Sequence, residues 1–225
     1  MFKYETHIHT QMCSKCAHST GKELVDKAKE LGYAGFVITN HFWGGNSAID
    51  RNLGWERFVE AYKTDYEIAK EYGEQIGIQV FFGVEEGVGG GKEILIYGIS
   101  PDDLIRHPEW LEISLEEKCN LIHSLGGIVF LAHPFRNRAY ILEPDVQPNP
   151  DFFDGVEGYN KCNPKEENEK AFDFAEKHRL LTISGGDVHS TSGFGGAGIE
   201  FAENPKDYAD LLAKIMQRDF TLLTK

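Results

Sequence analysis

The chain has 225 residues, 41% hydrophobic and 26% charged, which suits one soluble globular domain with a sizeable core. Its net charge of -13, with no clustered Lys/Arg patch, argues against long duplex nucleic acid as a partner and leaves any anionic substrate in need of local cations. No apolar run of about 18 residues marks a membrane span, the start MFKYETHIHT lacks a signal-peptide core, and four cysteines do not make a disulfide scaffold, so a cytoplasmic protein is expected.

In chain order, Lys3 to His9 reads as a strand ending in polar residues. Thr20 to Leu31 reads as a helix, opened by a Thr20/Glu23 capping box and stopped by Gly32. Phe36 to Thr39 is a buried strand, and Trp55 to about Tyr72 a helix with Phe58, Val59 and Tyr62 on one face. Strands follow at Ile78 to Val84 and Ile94 to Tyr97, with Gly89 to Gly91 as a hairpin between them. That glycine run lacks the Lys-Ser/Thr ending of a phosphate loop. Ser114 and Glu117 open a helix that ends at Gly126-Gly127. Strands at Ile128 to Leu131 and Gly155 to Tyr159 flank a long loop that contains the Pro-rich stretch Glu143 to Pro150. A helix from Lys165 to His178, a strand from Leu180 to Ser184, a helix from Asp207 to Met216 and a strand from Phe220 to Leu223 complete the chain. Alternating strands and helices in about this length predict one α/β domain over residues 1–225, a closed or nearly closed barrel of parallel units.

Residues of metal-binding type fall at strand ends. His7 and His9 end the first strand, His41 follows the second in ITNH, and Glu85 follows the third in FFGVE. His133 follows the Ile128 strand in IVFLAHP, and Asp187 and His189 follow a late strand in TISGGDVH. The C-terminal ends of parallel barrel strands share one face, so these seven residues are expected to meet there. Residues i and i+2 of a strand point the same way, so His7 with His9, and Asp187 with His189, can share an ion. Imidazole suits zinc, iron and manganese, and a carboxylate can bridge two ions. Glu85 is the first candidate bridge and Asp187 a second. Two or three divalent ions are expected. His107, His123 and His178 lie in or near helices and are set aside.

The ordered motifs H-x-H-T, ITNH, GVE, AHP and GDVH resemble the PHP (polymerase and histidinol phosphatase) family over nearly the whole chain. The resemblance implies a distorted seven-stranded (β/α) barrel with the metal site at the C-terminal face of the strands. It implies a metal-dependent phosphoric ester hydrolase, histidinol-phosphatase-like in using metal-activated water on a small phosphorylated substrate. His41, Asp187 and His189 are then the candidate catalytic residues. Two positions depart from the family: Asn40 stands where an Asp is common, and Leu95 where many members carry a histidine. The loop after His9 often holds a further ligand in the family, and here Cys16 and His18 fill that place. Cys16 can equally pack as a small hydrophobe. Arg136 and Arg138 match the fork geometry of a phosphate, or else pair with surface acids. A phosphodiesterase or nuclease acting on nucleotides or short oligonucleotides, with Phe42, Trp43 or Phe135 stacking on a base, is the alternative activity. A non-catalytic metal-binding regulatory module is the alternative from another class.

Overall fold

The computed structural model describes residues 1–225. Nine strands form one sheet: β1 (Phe2–Ile8), β2 (Tyr33–Ile38), β3 (Gln79–Gly89), β4 (Lys92–Tyr97), β5 (Ile128–Leu131), β6 (Gly155–Asn160), β7 (Leu181–Gly185), β8 (Ala197–Phe201) and β9 (Thr221–Thr224). Their order in space is β7-β6-β5-β4-β3-β2-β1-β8-β9. Six α-helices intervene: α1 (Gly21–Glu30), α2 (Trp55–Ile76), α3 (Pro101–Arg106), α4 (Leu115–Ser124), α5 (Lys165–His178) and α6 (Tyr208–Met216).

The sheet curls into a nearly closed barrel. Its seam is made by β1 and the segment after β7, which bond reciprocally: His9 N donates to Val188 O at 2.8 Å and Val188 N to His7 O at 3.0 Å. Deeper in the seam Thr6 Oγ1 donates to Ser184 O at 2.8 Å. The first half of β1 pairs instead with β8, antiparallel, and β8 with β9. The sheet therefore has nine strands, one more than the eight read along the chain, the added one being β8. The hairpin of β8 and β9 covers the N-terminal part of the seam, where Gly198 (φ 118°) brings its backbone so close to Tyr4 O that a Cβ would lie 2.2 Å away.

The sheet is mixed and not wholly parallel. The β1-β2-β3 and β5-β6-β7 runs are parallel, while β4 is antiparallel to both β3 and β5. A short turn at Gly89–Gly91 forces this reversal, because two parallel strands need a long crossover. The three glycines have φ of 96°, 62° and 81°, which side chains disfavour. Glu85, expected just past a strand end, lies inside β3, since β3 continues as the first arm of this hairpin.

Alternation assigns the two faces. Tyr4, Val37, Leu95, Tyr97, Phe130 and Ile183 pack together in one buried cluster. Phe36, Ile38 and Val80 join Leu24, Val25 and Ala28 of α1 and Ala69 of α2 in another. Both capping boxes read from sequence are present, at Thr20/Glu23 and Ser114/Glu117. Two elements lay outside the sequence reading. Six-residue α3 is too short to show a period, although Ser100, Asp103 and Pro101 supply a full N-terminal signal. The β8 segment opens on glycine-rich sequence that reads as loop. No helix is long and apolar enough to cross a membrane, and all four cysteines are free.

Gly155 sits where β6 squeezes between its neighbours: a Cβ would lie 2.2 Å from the Phe130 ring and 2.6 Å from Leu181 O. Gly155→Ala is expected to lower the unfolding free energy by about 1–3 kcal/mol, the usual cost of overpacking. Urea titration of the two proteins checks this.

Candidate metal centre

The barrel brings the seven strand-end residues together. His7 is the penultimate residue of β1 and His9 follows it; both are fully buried. Their Nε2 atoms lie 3.0 Å apart. Asp187 Oδ1 stands 3.5 Å from His7 Nε2 and 3.2 Å from His9 Nε2. Glu85 is central: its oxygens lie 3.2 Å from His7 Nε2, 3.4 Å from His9 Nε2, 2.8 Å from His41 Nδ1 and 3.1 Å from His133 Nε2. Four overlapping groups of ligand atoms result: His7/His9/Glu85, His7/His133/Asp187, His41/Glu85/Glu93 and His9/His41/His189.

Glu93 was missed in the sequence. It is the second residue of β4, and its carboxylate stands 3.2 Å from His41 Nδ1 and 3.6 Å from His133 Nε2. Because β4 runs antiparallel, its beginning lies at the same barrel end as the C-termini of the parallel strands. Leu95, the position of the family's histidine, is instead fully buried among apolar side chains opposite Glu85. No motif marks Glu93; only the reversed strand direction does.

Surrounding groups aim the rings. His7 Nδ1 donates to buried Glu157 at 2.9 Å, which leaves the Nε2 lone pair facing the cluster. The Ser14 hydroxyl donates to Asn40 Oδ1 at 3.0 Å and accepts from His9 Nδ1 at 3.1 Å, with the same result. His189 Nδ1 donates to the Asp187 carbonyl at 2.8 Å, again freeing Nε2. Asn40 also holds the Thr10 backbone N–H at 2.6 Å and the Thr10 hydroxyl at 2.8 Å, so it pins the loop that follows His9. Sequence reasoning missed Glu157 and Ser14, which act only through the histidines they touch. His133 (φ 27°) and Asp187 (φ 49°) adopt backbone conformations rare outside glycine. The other two such residues are Arg179 and Arg218, at helix C-termini, so strain away from helix ends is confined to this cluster.

The donor set fits divalent cations. Ligands about 2.0–2.1 Å from one ion in tetrahedral array lie about 3.3 Å from each other, and the separations above cluster there. Glu85 Oε2 and His41 Nδ1 are buried without a hydrogen-bond partner, although they stand 2.8 Å apart. They are aimed past one another, as two ligands of a common ion are. The charge balance agrees. Burial works against a charged His7 ring, but Glu157, Asp187 and Glu85 outweigh it and hold its pKa well above the usual histidine range. Burial likewise opposes ionised Glu85, and the rings of His41 and His7 hold it well below the usual carboxylate range. For His9, burial and the adjacent His41 charge bring the pKa down to about 3.

The remaining expected residues are placed unequally. Cys16 Sγ is 3.1 Å from His189 Nε2. Its burial is outweighed by hydrogen bonds from His189 and His41, and the thiol falls to about 6. The His18 side chain is exposed and belongs to none of the ligand groups. Its backbone N–H bonds the His189 carbonyl at 2.7 Å, which turns the ring outward. Arg136 is buried, with Nη2 donating to Asp187 Oδ2 at 2.6 Å and Asn160 at 3.0 Å and Nε to Asn163 at 2.9 Å. Only its Nη1 is uncommitted, and Asp187 has one oxygen left for the cluster. Arg138 lies at the rim, bonded to Glu167 at 3.1 Å. Phe42 is fully buried against Phe58 and Tyr62, while Trp43 and Phe135 are half-buried, packed on Phe58 and Phe174. His107, His123 and His178 engage Glu109, Asp154 and Phe174, away from the cluster.

A cavity of about 650 Å³ opens onto the cluster, lined by Cys16, His41, Glu93, Arg136, Arg138, Tyr140, Asp187 and His189. A second cavity, about 770 Å³, lies at the opposite end of the strands, beside Phe2, Tyr33 and Gln79, and holds no such cluster. Glu157→Gln is expected to weaken divalent-metal binding about 10- to 100-fold, the usual effect of losing a histidine's carboxylate partner. Titration calorimetry with Zn²⁺ or Mn²⁺ checks this.

Comparison with known proteins agrees with this geometry. The PHP domain family model matches residues 5–216. No curated protein sequence matches the chain. Among solved structures, a two-domain Bacteroides vulgatus protein containing a predicted PHP-like metal-dependent phosphoesterase aligns at TM-score 0.73 and 14% identity, over 99% of this chain and 64% of its own. This chain therefore spans less than two thirds of that protein. A Chromobacterium violaceum amidohydrolase with bound sulfate aligns at TM-score 0.63 and 16% identity, over 99% of both chains. The lesion-specific endonuclease Q of Pyrococcus furiosus aligns at TM-score 0.63 and 14% identity, over 98% of this chain and 57% of its own. At these identities the structures share the fold, and the family rests on the match over residues 5–216: this chain belongs to the PHP domain family.

Proposed function

We propose that the chain hydrolyses a small phosphomonoester, using two or three divalent cations, zinc, iron or manganese, held by His7, His9, His41, Glu85, Glu93, His133, Asp187 and His189. The carrying observation is the convergence of ring nitrogens and carboxylate oxygens at 2.8–3.6 Å around Glu85, with Glu85 Oε2 and His41 Nδ1 buried and unpartnered. Glu85 belongs to two of the ligand groups and is the bridging carboxylate. Asp187 contributes Oδ1 alone, since Arg136 occupies Oδ2. Cys16 supplies a ninth ligand beside His189, and a thiolate there favours the softer ions.

Bound cations supply Lewis acidity toward phosphoryl oxygens and a water acidic enough to ionise near neutral pH. The protein's own groups do the rest. Arg138 at the rim and Nη1 of Arg136 orient the phosphate. His41 and His189 are the imidazoles on the cavity wall. With His189 Nδ1 bonded to the Asp187 carbonyl and His41 Nδ1 turned to the cluster, His41 Nε2 is the ring nitrogen that would pass a proton to the leaving oxygen. The acidic chain needs the cations to accept an anion at all, which joins the net charge of -13 to the site.

A phosphodiester substrate is the second reading, and the size of the cavity favours it. Against it stand the packing of Phe42, Trp43 and Phe135 on neighbouring rings outside the cavity lining and the absence of a basic track for a nucleic-acid backbone. A purely structural role for the ions is disfavoured by the open cavity against them, because structural metal sites are closed.

Metal-loaded protein is expected to hydrolyse p-nitrophenyl phosphate faster than bis(p-nitrophenyl) phosphate. Excess chelator, or His9→Ala, should reduce the rate at least about a thousandfold, because uncharged alanine leaves the ion without a central ligand. Activity that survives both treatments overturns the reading.

A further inference from the structure

Lys92 is the first residue of β4, next to Glu93, and is 9% exposed. Burying an ammonium is costly unless its donors are satisfied. All three are, and none by a carboxylate: Lys92 Nζ donates to Pro134 O at 2.8 Å, Pro144 O at 2.9 Å and Gln147 Oε1 at 3.3 Å. These acceptors sit at the two ends of one irregular segment, residues 134–147, which contains no helix or strand. A single cation thus clasps both ends of the loop.

That loop is one wall of the cavity. It carries Arg136, Arg138 and Tyr140, all of which line it. The first half of the loop has its own anchors, since Phe135 packs on Phe174, Arg136 bonds Asp187, Asn160 and Asn163, Arg138 bonds Glu167, and Ile141 is buried. Beyond Ile141 the loop is held more lightly. Leu142 N donates to Gly90 O at 3.1 Å, and Leu142 and Val146 are 80% and 58% exposed. The apolar side chains beyond Ile141 therefore do not bury this second half, and the polar clasp through Pro144 O and Gln147 is what ties it to β4.

We propose that Lys92 is a positioning residue for substrate: its ammonium holds residues 134–147 so that Arg138 and Tyr140 face the phosphate and the leaving group. This rests on the phosphoesterase reading for its kinetic consequence, and on the loop geometry alone for its structural one. Losing the clasp loosens substrate binding while the cluster below, built from the barrel strands, keeps its chemistry.

The test uses the full chain with Lys92→Met, which keeps length and removes the charge, and Gln147→Leu, which removes the outermost acceptor. With metal-loaded protein and p-nitrophenyl phosphate, Lys92→Met is expected to raise KM at least tenfold with kcat within threefold and metal content unchanged. Gln147→Leu is expected to shift KM the same way by a smaller factor, and it decides the matter if Lys92→Met does not fold. Amide hydrogen exchange of residues 134–147 is expected to accelerate in both variants and to stay unchanged in β5 and β6. Unchanged KM and unchanged exchange overturn the proposal. So does loss of metal together with kcat, which would make Lys92 a support of the cluster. If wild-type protein binds metal but hydrolyses nothing, the phosphoesterase reading fails by itself, and the exchange measurement still decides whether Lys92 holds the loop.

Discussion

Everything at the end of this barrel where the parallel strands finish is organised around the Glu85 carboxylate. It is buried, and imidazole nitrogens from His7, His9, His41 and His133 stand within 3.4 Å of it. A carboxylate so placed cannot stay ionised in an apolar interior unless positive charge lies among its neighbours. Protons on the His7 and His41 rings, whose pKa values are held well above the usual histidine range, supply that charge, and bound divalent ions would replace them. The strand-by-strand delivery of four rings to one carboxylate is the constraint the rest of the structure serves.

The reversed strand β4 serves it most directly. In a wholly parallel barrel every strand would present its C-terminal end to the site. Reversing one strand presents an N-terminal end instead, and so brings Lys92 and Glu93 to the active face. Glu93 closes the side of the cluster next to His41 and His133, while Leu95, two residues deeper, joins the apolar interior. The departure from the family's histidine at Leu95 thus removes one group from the site, and Glu93 at the strand's start stands beside the same two rings.

A second layer fixes orientation. Glu157, Ser14 with Asn40, and the Asp187 carbonyl each engage the Nδ1 of one histidine, so three Nε2 lone pairs point inward. Arg136 does for Asp187 what these do for the rings: it occupies one oxygen and leaves the other to the cluster. An arginine three residues past a ligand reads as a phosphate clamp in sequence, but burial next to an acid commits most of its donors before any substrate arrives. Asn40 is similar. It departs from the family's Asp, yet it retains an acceptor for Thr10 N and Ser14 and adds a donor for the Thr10 hydroxyl.

By itself the sequence determined the alternation of strands and helices, both capping boxes, and the strand-end placement of six of the seven first-named candidate ligands, because these depend on local periodicity and on short polar motifs after apolar runs. The cluster's existence followed from that placement. Tertiary structure alone decided the rest. It added β8, which pairs with β1 and β9 through backbone bonds and leaves no side-chain pattern of its own. It put Glu85 within a strand and Glu93 in the site: the Gly89–Gly91 hairpin was legible, but which residues of its two arms reach the cluster depends on their length and register. It separated Cys16, which meets His189, from His18, whose backbone bond turns its ring to solvent, two fates that identical loop composition cannot distinguish. And it showed that the cations of Arg136 and Lys92 are held by protein oxygens, a matter of which groups lie within about 3 Å after folding.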